Sequence, residues 1–218
     1  MDDRVLELAG RGHSAAQARR AAGLVREFGF RLILQMMTGL PGDSGEESLR
    51  TARELIALQP DGVRIYPTVI LRGTELYELW QRGEYREHTV EDAVEICARI
   101  LPLFQAAGIP VIRLGLNPTE ELSGGEAAGG AYHPALGELV MSRVWLEKAR
   151  ALLSAVPPGS RVILAAPERQ LSQVIGQHRA NLRALEAEFS LRALGIRADK
   201  TLCDELSLVS VEKTGEIS

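Results

Sequence analysis

The 218-residue chain has few cysteines, and this shortage excludes several kinds of site. Its two cysteines, Cys97 and Cys203, lie far apart in the sequence. A disulfide scaffold is therefore excluded, as is a metal or iron–sulfur site built from a local cysteine motif. The four histidines show no metal-ligand spacing, so we expect no metal site.

Long hydrophobic runs are also missing. No stretch of 18 apolar residues occurs, so we expect no membrane partner. The first residues are charged and lack the apolar core of a signal peptide, which favours a cytoplasmic protein.

Charge is spread unevenly along the chain. Residues 1–142 carry 14 basic and 20 acidic side chains, residues 143–200 carry 10 and 5, and residues 201–218 carry 1 and 4. A basic segment inside an acidic chain indicates an anionic partner for that segment. A solvated helix face explains the same charge equally well.

Helical and strand patterns alternate in the first half of the chain. Capping residues Ser14 and Ser44 each begin a helix, and the three apolar runs at 30–37, 63–71 and 109–116 have the composition of buried strands. Strands that alternate with helices predict a parallel α/β fold, either a doubly wound sheet or a (βα) barrel. Three parallel strands alone would leave an apolar edge unpaired, so we expect another chain or a longer sequence to supply strands.

The second half follows a Gly-rich stretch at 123–130, which has the composition of a loop or linker. A long amphipathic helix is predicted at 135–156, a strand at 161–166, a helical region at 168–189 and a second strand at 191–199.

The turn that begins at Gly39 follows the first strand. It fits neither the spacing of a phosphate-binding loop nor that of a dinucleotide-binding motif, and the acidic residues Asp43, Glu46 and Glu47 would repel phosphate. The residues alone favour a simple strand–helix turn. Turns at the carboxyl ends of parallel strands are, however, where such folds place their ligands.

Four segments taken together resemble one family. LELAGRGHSAAQARRAAGLVREFGFRLILQMMTGLPGD (6–43), VRIYPTVILRGTELYELWQRGEY (63–85), IRLGLNP (112–118) and AGGAYHPALGELV (128–140) are similar to the radical S-adenosylmethionine (radical SAM) enzymes. Within that family they resemble the Elongator catalytic-subunit type and its short bacterial relatives. The resemblance spans residues 1–142, and more weakly extends to about residue 200.

This resemblance implies a partial, TIM-like (βα) barrel. In the family, a 4Fe-4S cluster held by Cys-x3-Cys-x2-Cys cleaves S-adenosylmethionine to a 5′-deoxyadenosyl radical. That motif is absent here, so we expect that this chain alone does not bind the cluster and is inactive as written. The simplest interpretation is a truncated or mis-started radical SAM enzyme whose parent modifies RNA, such as tRNA. Two alternatives stay open: a non-catalytic RNA-binding or scaffold protein, or a complex in which a separate chain supplies the missing N-terminal half of the barrel.

The expected domain limits follow from the same comparison. Residues 1–122 would form the C-terminal half of the barrel, 123–157 a Gly-rich loop and connecting helix, 158–200 a small βααβ domain, and 201–218 an acidic tail.

The resemblance also implies half of a cofactor site. The residues expected to contact S-adenosylmethionine lie in and after the first two strands: Gln35, Met37, Gly39, Gly42, Tyr66 and Pro67. Candidates on the substrate side are Arg64, Tyr132 and His133. A charge in a strand as apolar as that of Arg64 needs a carboxylate or a ligand as partner. Ordinary packing explains Met37, Tyr66 and His133 as well.

The basic βααβ segment resembles the core of a KH domain, in which a Gly-x-x-Gly turn between two helices holds a nucleic-acid backbone. Here Arg179 stands at the second glycine position. The residues that would contact nucleic acid are Arg169, Gly176, Gln177, His178, Arg179 and Arg183. Because aromatic residues make up only 5% of the chain and no stacking platform is visible, a non-binding accessory domain is an equal alternative.

Overall fold

The computed structural model describes residues 1–117 and 125–213. These residues form two compact units, Met1–Gly137 and Glu138–Ser218. Among the described residues, no helix has the length and apolar character needed to cross a membrane.

The first unit alternates helices and strands, as the sequence predicts. Its elements are α1 (Asp3–Leu8), α2 (Ala15–Glu27), β1 (Ile33–Thr38), α3 (Gly45–Ala57), β2 (Gly62–Pro67), β3 (Val69–Leu71), α4 (Glu75–Gln81), α5 (Val90–Ala106), β4 (Val111–Leu114) and β5 (Ala127–Gly130). Helix α2 begins at the predicted capping box, where the Ser14 hydroxyl accepts from the Gln17 backbone and the Gln17 side chain accepts from the Ser14 backbone.

Strands β1, β2 and β4 form a parallel sheet in that order. The predicted α/β fold with a parallel sheet is therefore confirmed. Helix α3 packs on β1 and α5 packs on β4, so one face of the sheet is covered. Met36, Val63 and Ile65 lie on this covered face, and each is at most 3% exposed.

The other face of this sheet is called the open face. It carries alternate side chains of β1 and β2 and two consecutive side chains of β4, where the register with β2 shifts by one residue: Ile33, Gln35, Met37, Arg64, Tyr66, Ile112 and Arg113. Ile33 is 42% exposed and Ile112 is 53% exposed, which is unusual for large apolar side chains inside strands. A Cβ added at Gly62 would lie 2.5 Å from Ile112 Cδ1 and 3.3 Å from Ile33 Cδ1, so these two side chains meet over Gly62.

The apolar run at 63–71 is not one strand. Its first part, β2, belongs to the parallel sheet, and its second part, β3, pairs antiparallel with β5. The break falls at Thr68, which is 2% exposed and donates both its backbone N–H (2.9 Å) and its hydroxyl (2.8 Å) to the Thr38 carbonyl. These hydrogen bonds end the pairing with β1. Residues 127–130, expected in a loop, form β5 because small residues let the backbone of β3 approach closely.

The second unit contains most of helix α6 (Leu136–Leu153), followed by β6 (Arg161–Pro167), α7 (Leu171–Ile175), α8 (Ala180–Glu188), β7 (Ala193–Asp199) and β8 (Ser207–Glu212). Strand β6 lies between β7, to which it is parallel, and β8, to which it is antiparallel. The core includes Trp145, Leu164 and Leu182. The βααβ order matches the sequence-based expectation. Strand β8 was not expected, because residues 201–218 were interpreted as an acidic tail.

Candidate functional site

The carboxyl ends of the three parallel strands meet at one edge of the first sheet. The turn at Gly39 follows β1, and Thr68 follows β2. Gly115, whose N–H donates to the Ile65 carbonyl at 2.9 Å, follows β4. This edge is where parallel α/β folds place their ligands, so it is the candidate site.

The backbone carbonyl and the backbone N–H of Gly39 each form a hydrogen bond with a side chain. The Tyr85 hydroxyl donates to the Gly39 carbonyl at 2.6 Å. The Gly39 N–H donates to Asp43 Oδ2 at 2.8 Å, and the same oxygen accepts from the Ser48 hydroxyl at 2.8 Å. The backbone of this turn is therefore fixed in place before any ligand arrives.

The ring of His88 lies against Gly39. Gly39 has φ +75°, and a Cβ there would lie 2.1 Å from His88 Cγ, so only glycine fits at this position. Nε2 of His88 lies 3.1 Å from the hydroxyl oxygen of Thr38, a residue with no exposed surface. Burial lowers the pKa of His88, and this net lowering favours the neutral ring. The carboxylates of Asp92 and Asp43 oppose the shift.

Burial also shifts two neighbouring groups. Burial raises the pKa of Tyr85 to about 12 and the pKa of the Cys97 thiol to about 12. For Cys97, a hydrogen bond with Thr38 partly offsets the rise. Both groups stay protonated near neutral pH. The roles of Tyr85 and His88 were missed from the sequence because they follow α4 and lie about fifty residues after the turn they support.

The structure brings several predicted cofactor residues together. Gln35 and Met37 of β1 lie beside Arg64 and Tyr66 of β2, with which they pair in register on the open face. Pro67 points to the covered side and is buried, so its side chain lies on the opposite face of the sheet from Tyr66. Arg64 is exposed, which corrects its interpretation as a charge in a buried strand. The strand is apolar because its alternate residues, not Arg64, face the helices.

Gly42 lies at the far end of the Gly39 turn and has φ +76°. Its carbonyl accepts from the Arg4 guanidinium at 2.8 Å, and a Cβ at this position would lie 2.5 Å from Leu8 Cδ1. Helix α1 therefore occupies one side of this glycine, which limits approach of a ligand from that side.

Tyr132 and His133 follow β5 and are anchored at the same edge. The Ala131 N–H donates to the Thr68 carbonyl at 3.0 Å, which places the next two residues beside the end of β2. Both are partly buried. Nδ1 of His133 accepts from the Ala135 N–H at 3.1 Å. This bond helps to begin α6 and does not involve the other ring nitrogen, Nε2.

The turn between α7 and α8 lies where the sequence placed it, at Gly176–Arg179. Gly176 has φ +75°, and His178 and Arg179 also have positive φ values of 51° and 62°. The side chains of Gln177, His178 and Arg179 are exposed. Helix α8 has no side-chain cap at its N-terminus, so its first N–H groups face this turn.

Arg183 is exposed on the first turn of α8, and Arg169 is exposed ahead of α7. The buried Asn181 supports the turn from below, since its Nδ2 lies 3.2 Å from the Val174 carbonyl and 3.1 Å from the Gln173 carbonyl. The turn thus has a buried support and an exposed basic surface.

An iron–sulfur cluster needs thiolate ligands. Within residues 1–117 and 125–213, no three His, Cys, Asp or Glu side chains are grouped so that they could hold a metal ion. Cys97 is buried with a protonated thiol, and Cys203 is exposed in the other unit. These residues do not fit the cluster.

Comparisons with known proteins agree on one family. The model of the radical SAM C-terminal domain matches residues 60–146. Elongator complex protein 3 of Homo sapiens is 32% identical over 137 residues, covering 62% of this chain and 24% of the relative. The Methanocaldococcus infernus protein named tRNA uridine(34) acetyltransferase is 37% identical over 95 residues, covering 42% of this chain and 18% of the relative. The chain thus spans about a fifth of the length of these relatives.

A solved structure gives the same result. The archaeal Methanocaldococcus infernus Elp3 with residues 1–46 deleted superposes with a TM-score of 0.57 and 28% sequence identity. The match covers 72% of this chain and 37% of that one.

Proposed function

We propose that this chain belongs to the radical SAM superfamily and forms the C-terminal part of an S-adenosylmethionine site in an enzyme that modifies tRNA. A relative that is 37% identical over 95 residues carries the name tRNA uridine(34) acetyltransferase, which supports the choice of tRNA.

The observation that carries this proposal is the pinned turn at Gly39 beside the open face. The adenosine part of the cofactor would lie against Met37 and Tyr66, which are neighbours in register and present an apolar and an aromatic surface. The Gly39 backbone, held by Tyr85 and Asp43, would offer a close-approach surface without a Cβ. Gln35 would lie one row further from the edge.

S-adenosylmethionine supplies a 5′-deoxyadenosyl radical when a reduced 4Fe-4S cluster cleaves it. The residues of this chain do not fit that cluster, so we assign the cluster to residues outside this sequence, either on a longer form of the chain or on a separate polypeptide. What the present residues do is bind the nucleoside, orient it through the fixed turn and exclude water with the Met37 and Tyr66 side chains.

The test is a calorimetric titration of the full chain with S-adenosylhomocysteine, which carries the same nucleoside. We expect Tyr66→Ala and Met37→Ala each to weaken binding about tenfold, equivalent to about 1.4 kcal/mol. Tyr77→Ala is the matched control, since Tyr77 lies on α4 against Trp80 and off the open face. Equal affinities in all three variants would contradict the proposal.

A second candidate function is RNA binding by the second unit without catalysis. It is favoured by the exposed Gln177, His178 and Arg179 side chains above an uncapped helix start. Backbone N–H groups and arginines at a helix N-terminus suit phosphate groups. Arg183, one turn into α8, adds charge near this position.

This candidate is tested by titrating the full chain with tRNA at several salt concentrations. We expect Arg179→Ala and Arg183→Ala each to weaken binding and to reduce the salt slope by about 1. Arg197→Ala is the control, because Arg197 is exposed on β7 in the same unit. A slope that falls equally in the control would mean that charge alone, not the turn, attracts the RNA.

A further inference from the structure

Two arginines lie opposite one another on the open face of the first sheet. Arg64 of β2 and Arg113 of β4 pair in register, on strands whose backbones run about 4.8 Å apart. Like charges at directly opposite positions destabilise a sheet. A bound ligand of opposite charge would offset this repulsion.

Arg64 is an unexpected residue for its position. Its neighbours Val63 and Ile65 have no exposed surface, while Arg64 itself is exposed. Among the residues that the structure describes, its side chain has no hydrogen bond and no ion pair. Residues 1–142 carry 20 acidic against 14 basic side chains, yet no described carboxylate forms an ion pair with Arg64.

Arg113 is partly buried, and its Nε donates to the Gly115 carbonyl at 3.2 Å. This bond orients the guanidinium, and the register with Arg64 places Arg113 on the open face. Gln35 pairs in register with Arg64 from the other side, so the three side chains form one row across three strands. The next row toward the carboxyl edge holds Met37 and Tyr66.

We propose that Arg64 and Arg113 bind a phosphate group, with the Gln35 amide as a third donor. Two guanidinium groups on adjacent strands present a fork of N–H donors to the oxygens of one phosphate. The Met37–Tyr66 row lies about 7 Å further along the strands, twice the rise of a strand residue, which is suitable for the ring attached to that phosphate. Assigning the phosphate to an RNA substrate deepens the proposed function and rests on it; the phosphate site itself does not.

The first experiment measures thermal unfolding of the full chain with sodium phosphate and with sodium chloride at equal ionic strength. We expect phosphate to raise the melting temperature of the unmodified chain and of Arg53→Gln, a control on α3 that is exposed and away from the sheet face. Arg64→Gln and Arg113→Gln should weaken phosphate binding at least tenfold.

Without phosphate, Arg64→Gln should melt at the same or a higher temperature, because the repulsion between the two arginines is removed. A purely structural arginine would behave in the opposite way, lowering the melting temperature regardless of phosphate. Equal phosphate stabilisation in Arg64→Gln and Arg53→Gln would overturn the site.

The second experiment identifies the source of the phosphate. A short single-stranded oligouridylate is titrated into the same variants, and S-adenosylhomocysteine binding is measured in parallel. Loss of oligouridylate binding in Arg64→Gln, with S-adenosylhomocysteine binding retained, supports RNA as the source. Phosphate binding without oligouridylate binding would overturn the RNA assignment. If only S-adenosylhomocysteine fails to bind, that result counts against the proposed function and not against this site.

Discussion

Two turns in this molecule have the same kind of glycine at their start, and they differ in the groups that they expose to a ligand. The turn at Gly39 in the first unit and the turn at Gly176 in the second each begin with a glycine at φ +75°. In each, a Cβ on the glycine would meet a side chain, 2.1 Å from His88 Cγ in one case and 2.9 Å from Asn181 Cγ in the other.

The difference lies in the hydrogen-bonding groups. Around Gly39, Tyr85 and Asp43 already occupy the peptide carbonyl and N–H. Around Gly176, the side chains of Gln177, His178 and Arg179 face solvent, and α8 begins without a side-chain cap. The first turn can offer a ligand only its shape, whereas the second also offers exposed polar and charged side chains. A fixed surface suits a nucleoside, and exposed basic side chains suit phosphate groups.

The largest effect is expected for Gly39→Ala. The left-handed backbone and the overlap with His88 should together lower the free energy of unfolding by about 3 kcal/mol. Gly29→Ala is the control, since Gly29 has φ +74° and nothing within 4 Å of an added Cβ, and it should cost about 1 kcal/mol. Denaturant unfolding measures both. Adding His88→Ala to Gly39→Ala should recover part of the loss; no recovery would show that the ring contact is unimportant.

Gly176→Ala should cost less, about 2 kcal/mol, because the contact with Asn181 is longer. Its control is Gly73→Ala, at φ +75° with open space around it. The comparison of the two turns fails if Gly176→Ala is no more destabilising than Gly73→Ala in urea unfolding.

Alkaline pH should act on the internal support of the first turn. The pKa values of Tyr85 and Cys97 are raised to about 12 in the folded state, from about 10 and 9 in the unfolded chain. A raised pKa adds stability that is complete below the unfolded value and is lost as pH rises toward the folded one. The free energy of unfolding should therefore fall between about pH 9 and pH 12. Tyr85→Phe and Cys97→Ala should each flatten this fall, and a flat profile in the unmodified chain would contradict the burial argument.

The smallest effect is expected for Arg179→Gly. Relief of the positive φ should raise the free energy of unfolding by about 1 kcal/mol, while tRNA binding weakens because the charge is lost. Arg179→Ala separates the two effects, because it removes the charge and keeps the backbone strain. If both variants bind tRNA as tightly as the unmodified chain, the exposed donors of this turn are not used.

The sequence predicted the main elements because their signals are local. The capping box at Ser14 and the apolar runs of β1 and β6 depend on residues close together in the chain. The division of 63–71 between two sheets could not be predicted, since Thr68 ends β2 through bonds to Thr38, thirty residues earlier. Strand β8 was hidden by the acidic character of the tail, and its pairing with β6 is a long-range contact.

The candidate site was partly predictable for the same reason. Period-two alternation placed Gln35 and Met37 on one face of β1, and their neighbours Arg64 and Tyr66 follow from the register. The same alternation could have shown that Arg64 and Pro67 face opposite sides. The support by Tyr85 and His88, and the Arg64–Arg113 pair, depend on contacts between distant elements.

The anchoring of the 131–136 segment at Thr68 has a consequence for sequence variation. Gly130 and Ala131 are fixed to β3 and to the Thr68 carbonyl, so Tyr132 and His133 take their position from the end of β2. Insertions or deletions ahead of Ala127 would leave that position unchanged. A change of chain length between β4 and β5 should therefore keep the same two side chains at the site.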